Sequence, residues 1–191
     1  MLEKLVKIDI ETLIFLNNLG SEQWDFFWLS ITNQFNWVPL FILILYLIIK
    51  TYGWKRGGII MLSMIVLVAF SDQFTNFIKY SVQRLRPNND PEVMSFLRSS
   101  IWAYKNPQGY SFMSGHATTS TFFTVYTFLT LKKYFKKYIY LLFIFPLIFS
   151  YSRIYLGVHF PLDILVGFII GTSLAILYYK LFIRLFKKTF V

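Results

Sequence analysis

The 191-residue chain contains no cysteine, which excludes disulfides and thiolate metal ligation without fixing the compartment. It carries nine acidic residues against 19 basic ones, and two histidines, so any imidazole chemistry must come from His116 or His159. Internal repeats and low-complexity tracts are missing. The first 20 residues mix acids and bases through their apolar positions. They lack the separate basic and apolar regions of a cleaved leader, and are expected to stay in the mature protein.

Hydrophobic residue types make up 56% of the chain, 22 of them phenylalanine, and the mean hydropathy is +0.54. A water-soluble domain of this size needs more polar surface, so the expected solvent is lipid. The length suits a single domain over residues 1–191. A net charge of +10 raises nucleic acid as a partner, but the positions of the charges argue against it. Lys50, Lys55 and Arg56 form one group, Lys132, Lys133, Lys136 and Lys137 a second, and Lys180, Arg184, Lys187 and Lys188 a third. Each lies at the end of an apolar run and contains no acidic residue, as cytoplasmic loops do.

A membrane-crossing helix needs roughly 20 mainly apolar residues, and five stretches qualify. They fall within residues 24–49, 57–79, 116–131, 138–155 and 161–179, with Pro39 either kinking the first or marking its start. The expected fold is therefore an all-α integral membrane bundle of about five spans. Residues 1–19 read as a helix lying in the interface. The segment 81–114, with its RPNNDP and NPQG turn signals, reads as an external loop or cap. Trp24, Trp28 and Trp37 suit an interfacial belt, and Gly167 with Gly171 a close helix crossing. With the basic clusters inside, Lys79, Arg84, Arg86, Arg98, Lys105 and Arg153 break the charge rule on the outer face, beside both histidines and Asp163.

Three separated stretches meet there: KYSVQRLRP (79–87), SGH (114–116) and SRIYLGVHFPLD (152–163). Together they resemble the three signature motifs of the type 2 phosphatidic acid phosphatase superfamily, to which vanadium haloperoxidases are related. Lys79, Arg86 and Pro87 match the first motif, and Ser152, Arg153, His159 and Asp163 the third. The second departs once, with Met113 where proline is usual. The resemblance implies a metal-independent, cofactor-free hydrolase of membrane lipid phosphates. In that family the third-motif histidine takes up the phosphoryl group and the second-motif histidine protonates the leaving oxygen.

The residue types support the same chemistry on their own terms. Transfer of a phosphoryl group is accelerated by positioning and by neutralising its equatorial oxygens. Lys79, Arg86 and Arg153 supply three cations, two with forked donors matched to phosphate. Ser114 and Gly115 offer amides at a helix start, where an anion is favoured. Asp163, in the first turn after Pro161, is placed to fix the tautomer of His159 for attack, with His116 as the acid. Arg84, Arg98 and Lys105 read as lipid-headgroup contacts outside this set. Asp72, seven residues before Lys79, reads as a partner of Lys79 or Asn76.

The expected substrates are undecaprenyl diphosphate, phosphatidylglycerophosphate, phosphatidic acid or lipid A phosphates, met at the outer face of a bacterial inner membrane. The oligomeric state is not legible. Two other readings stay open: a His116–His159–Asp163 metal site, which the three cations oppose, and a lipid-binding or transport protein that grips phosphate without cleaving it.

Overall fold

The computed structural model describes residues 2–98 and 109–186. Lys105, Lys187, Lys188 and the middle of the expected cap lie outside them. Six α-helices account for most of the described chain: α1 (Leu2–Asn18), α2 (Glu22–Thr32), α3 (Val38–Val82), α4 (Gly115–Phe135), α5 (Ile144–Tyr155) and α6 (Pro161–Leu185). No strand forms among the described residues, and an isolated bridge joins Leu85 to Tyr110.

Three apolar stretches, Gln34–Val82, Gly115–Tyr155 and Pro161–Leu185, are long enough to cross a bilayer. The first two are each divided. Within α3, Gly53 adopts φ 72° and ψ 173°, a conformation open to glycine and closed to most other residues. There the chain folds back on itself: a Cβ placed on Gly57 would lie 3.3 Å from the Cα of Ile49, eight residues earlier. In a continuous helix those residues would stand about 12 Å apart. Pro39 sits in the first turn of α3, so it marks a start and not a kink. Residues 24–32, read from sequence as the beginning of this span, form the separate helix α2.

The second division follows α4. Lys136 takes φ 47°, and Lys136–Phe143 winds as a 3₁₀ helix before α5 begins. Pro146 contributes to this change of winding, since it has no N–H to give the carbonyl four residues back. At about 2.0 Å per residue for eight residues and about 1.5 Å for the twelve of α5, the combined rod is about 34 Å long, enough to cross the hydrocarbon layer.

The tightest pairing is α4 against α6. A Cβ on Gly167 would stand 2.8 Å from that of Ala117, and one on Gly171 only 2.6 Å from the Thr118 carbonyl oxygen. With Ala175 one turn further, fully buried, the two glycines make the small-residue face that lets the backbones meet. Below this contact the core gathers Ile48, Ile60, Leu67, Phe122, Tyr126 and Phe182. Around Lys79, His116 and His159, a second cluster of Leu13, Val93, Ile154, Phe160 and Ile164 packs α1 onto α5 and α6.

The structure adds contacts to two sequence expectations here. Of the tryptophans, Trp24 is exposed, while Trp28 stacks on Tyr155 at 5.2 Å and Trp37 packs on Phe145 at 4.6 Å, both holding elements together. The helix α1 does show Leu5, Val6, Ile8 and Phe15 outward, as an interfacial helix would. Its inward stripe, however, is Asp9, Leu13 and Asn17, two polar residues out of three. Asn17 donates to the Tyr155 carbonyl at 2.7 Å and accepts the Arg98 amide at 2.8 Å, so α1 is hydrogen-bonded to the connections around it.

Candidate active site

All three motifs converge at one end of the bundle. Lys79 ends α3, His116 opens α4, Arg153 ends α5 and His159 precedes α6. The groups around Gly53 and around Lys136, together with Arg184, lie at the opposite end of their helices.

After α3 stops at Val82, with Gln83 left-handed at φ 55°, the chain runs extended to Pro87. Alternate side chains then point to one side. Leu85 faces outward, 47% exposed, while Arg84 and Arg86 both turn inward. Arg86 Nη1 donates to the Val158 carbonyl at 3.2 Å and lies 3.4 Å from His159 Nε2. Residues 109–114 brace this strand-like segment: the Ser111 amide donates to the Arg84 carbonyl at 2.8 Å and its hydroxyl to the Leu85 carbonyl at 3.0 Å.

Ser114 is the N-cap of α4, its hydroxyl accepting the Ala117 amide at 3.4 Å. Its own amide donates to the Asp163 carbonyl at 3.1 Å, tying the start of α4 to the start of α6. Ser114 is thus occupied by the fold, and the adjoining Gly115 and His116 are the residues of this turn that line the cavity. A Cβ on Gly115 would stand 3.5 Å from Thr75 Oγ1 and 3.7 Å from Lys79 Nζ, so the glycine keeps the space beside the lysine open to a ligand. The His116 ring stacks on Phe149 at 4.6 Å and bonds to the Thr32 carbonyl.

Arg153 is 5% exposed; its Nη1 donates to Thr32 Oγ1 at 2.6 Å, and its Nε has no partner. The Nε of Arg86 is likewise buried and unpartnered. Among the described residues, neither arginine nor Lys79 has a carboxylate within ion-pair distance. Three cations share one cavity with none of them ion-paired, an arrangement whose cost a bound anion would offset.

His159 is 2% exposed. Its Nδ1 stands 3.4 Å from Asp163 Oδ2, a long approach that leaves Nδ1 without an ordinary hydrogen bond, while Nε2 faces Arg86. Burial, and after it the charges of Arg86, Arg153 and Lys79, hold this imidazole well below its ordinary pKa. It is therefore neutral near pH 7, with a lone pair available for attack.

Asp163 itself is fully buried and accepts from the Phe160 amide at 2.9 Å and from Arg84 Nη1 at 2.9 Å. Arg84 is the residue that sequence reasoning misplaced. It makes no outward lipid-headgroup contact; it bridges Asp163 to Asp9. Its position two residues before Arg86, ahead of a proline, was the available signal. Arg98 is corrected in the same way, since it pairs with Asp25 at 2.5 Å and 3.2 Å. Asp72 lines the cavity and accepts from Asn76 at 3.3 Å, the second of its two expected partners.

The cavity has a volume of about 820 Å³. Its cationic end, with Lys79, Arg86, Arg153 and both histidines, continues into an apolar trough walled by Val38, Phe41, Val68, Phe123 and Phe145. From Lys79 to Val68 along α3 is about 16 Å. No cluster of three or more His, Asp or Glu residues among those described is spaced to hold a metal ion.

A model of the PAP2 superfamily matches residues 56–187, more than half the chain. The chain belongs to the PAP2 superfamily. A PAP2 relative, the lipid A 4′-phosphatase of Bacteroides thetaiotaomicron, is 33% identical over 172 residues, spanning 90% of this chain and 75% of that protein. An undecaprenyl-diphosphatase of Sulfolobus acidocaldarius is 30% identical over 146 residues, covering 76% and 63% respectively. The crystal structure of a transmembrane PAP2-type phosphatidylglycerolphosphate phosphatase from Bacillus subtilis superposes with a TM-score of 0.72 over 95% of this chain and 87% of that one, at 20% identity, and so shares the PAP2 fold.

Proposed function

We propose that the protein is a single-domain membrane phosphatase that removes phosphate from a lipid, with a lipid A phosphate the best-supported substrate. The observation that carries this reading is the trio Lys79, Arg86 and Arg153, none of them ion-paired, at the end of an apolar trough. Such a cavity fits an amphiphile whose head is a tetrahedral anion and whose tail stays in hydrocarbon. The names of the PAP2 relatives point to the same class.

In this mechanism the three cations and the amides of Gly115 and His116 receive the phosphate oxygens, while Ser114 holds the turn that presents them. His159 Nε2 attacks phosphorus, and Asp163 accepts a hydrogen bond from Nδ1–H, stabilising the positive charge the imidazole gains. The P–O bond to the lipid breaks, and His116 gives its proton to the departing oxygen. Water then attacks the phosphohistidine with His116 as base, releasing inorganic phosphate and restoring His159. A ligand-gripping protein without turnover has no use for an unprotonated imidazole facing the cationic end of the cavity, so hydrolysis is preferred over transport.

Orientation follows from charge. The basic groups at the Gly53 and Lys136 ends belong on the cytoplasmic side, which puts the site at the outer face of a bacterial inner membrane. Their basicity serves topology, not nucleic acid.

The test is release of inorganic phosphate from bis-phosphorylated lipid A, phosphatidic acid, phosphatidylglycerophosphate and undecaprenyl diphosphate in detergent micelles. The native protein is expected to turn over at least one, and His159→Asn none. Phosphate release undiminished in His159→Asn would overturn the assignment.

A further inference from the structure

Resting on that reading, we infer that Arg84 and Asp9 form a positioning device for the Asp163–His159 pair, which makes the N-terminal helix α1 a working part of the active site. Asp9 lies outside the residues matched by the family model, on a helix that contributes nothing to the cavity lining. It is nevertheless 2% exposed and fully engaged: Oδ2 accepts Arg84 Nη2 at 2.7 Å, and Oδ1 accepts the Leu162 amide at 2.8 Å, in the first turn of α6. One carboxylate from α1 therefore holds both the guanidinium that grips Asp163 and the helix start that carries it.

Arg84 is constrained on three sides. Its two terminal nitrogens are each taken by a carboxylate, and its planar face lies 3.6 Å above the Phe160 ring. Asp163 Oδ1 is thereby pinned, which leaves Oδ2 turned toward His159 Nδ1. Without Arg84 the carboxylate would keep the Phe160 amide on Oδ2 but lose the anchor on Oδ1, and the attacking nitrogen would lose alignment. Charge adds to geometry. Asp9, Arg84 and Asp163 together carry one negative charge, available to the imidazolium that forms as His159 takes the phosphoryl group. Removing the Asp9 charge reduces that sum to zero.

Arg84 and Asp9 do not line the cavity, so their loss should slow turnover without weakening substrate binding. In the full-length protein, with bis-phosphorylated lipid A and short-chain phosphatidic acid as substrates, Arg84→Gln is expected to lower kcat on the order of 10- to 100-fold with KM within about threefold. Asp9→Asn is expected to lower kcat about tenfold. The double variant should fall little below Arg84→Gln, because the two act through one carboxylate. Lys7→Gln, an exposed change on the same helix, should keep the native kcat.

A purely structural network predicts otherwise: lower melting temperatures, but native kcat in the folded fraction. That result, a loss confined to KM, or an equal loss in Lys7→Gln would overturn the inference. Should Asp9→Asn fail to fold, Asp9→Glu and Arg84→Lys decide instead, with reduced kcat expected and native kcat the contrary result. A native protein inactive on every lipid would sink the phosphatase reading itself, a distinguishable failure.

Discussion

Arg84 and Arg86 stand two residues apart on one extended segment, both turned inward, and they meet opposite surroundings. Arg84 lies between two buried carboxylates, whereas Arg86 meets a carbonyl and an imidazole and keeps a buried Nε unpaired. The contrast extends beyond this pair. On the side of α1 and α2 each inward-facing guanidinium has its anion, as Arg98 has Asp25. On the cavity side Lys79, Arg86 and Arg153 have none. Paired cations hold the scaffold; unpaired cations mark where an anion from outside belongs. Two buried arginines beside a half-buried lysine cost stability, because their internal hydrogen bonds return only part of the hydration they lose.

The comparison is broken most sharply by removing an unpaired member. Arg153→Ala should lower kcat/KM on the order of 10³-fold, by analogy with other arginines that neutralise a transferring phosphoryl group. Its melting temperature should hold or rise, since an uncompensated charge leaves the interior. Steady-state phosphate release and thermal unfolding in the same detergent check both halves.

A second variant converts an unpaired cation into a paired one. Thr32 already receives Arg153 Nη1 at 2.6 Å, so Thr32→Asp would put a carboxylate within reach of the guanidinium. Activity should fall about 100-fold while stability increases, as an internal anion competes with the phosphate for the same donors. Inhibition by vanadate should weaken in parallel.

The scaffold side gives the inverse result. Arg98→Ala leaves Asp25 buried without its partner and should cost about 3 kcal/mol of stability, with kcat in the folded protein within about threefold of native. The smallest effect is on pH dependence. Burial pushes Asp25 up, but the hydrogen bonds from Arg98 and Tyr155 and the Arg98 charge outweigh it, so the carboxyl sits below its ordinary value. Its contribution to stability is then fully present above about pH 4 and is lost as pH falls through the folded pKa. Melting temperatures followed from about pH 6 down to about pH 3 should show this acid shoulder in the native protein and a shallower one in Arg98→Ala.

Much of this was legible in sequence because membrane proteins write their constraints locally. Apolar length and basic clusters outlined the helical rods, and the motif spacings brought Lys79, Arg86, Ser114, Gly115, His116, Arg153, His159 and Asp163 to one end. What escaped depends on long-range pairing. Asp9 and Asp25 are ordinary acids in amphipathic segments until the fold sets Arg84 and Arg98 beside them, more than 70 residues along the chain. The occupied amide of Ser114 was hidden for the same reason, as its acceptor lies in α6. The 3₁₀ winding of Lys136–Phe143 had a local cue in Pro146, but its apolar composition reads equally well as α-helix.

That winding sets a distance. Rewound as an α-helix, the same eight residues would shorten the rod by about 4 Å. Were Lys132, Lys133, Lys136 and Lys137 anchored among headgroups at its base, as their charge favours, the shortfall would appear at the far tip, at Arg153. In a bilayer the stretch would act as a ruler, with the position of Arg153 measured from the opposite surface of the membrane.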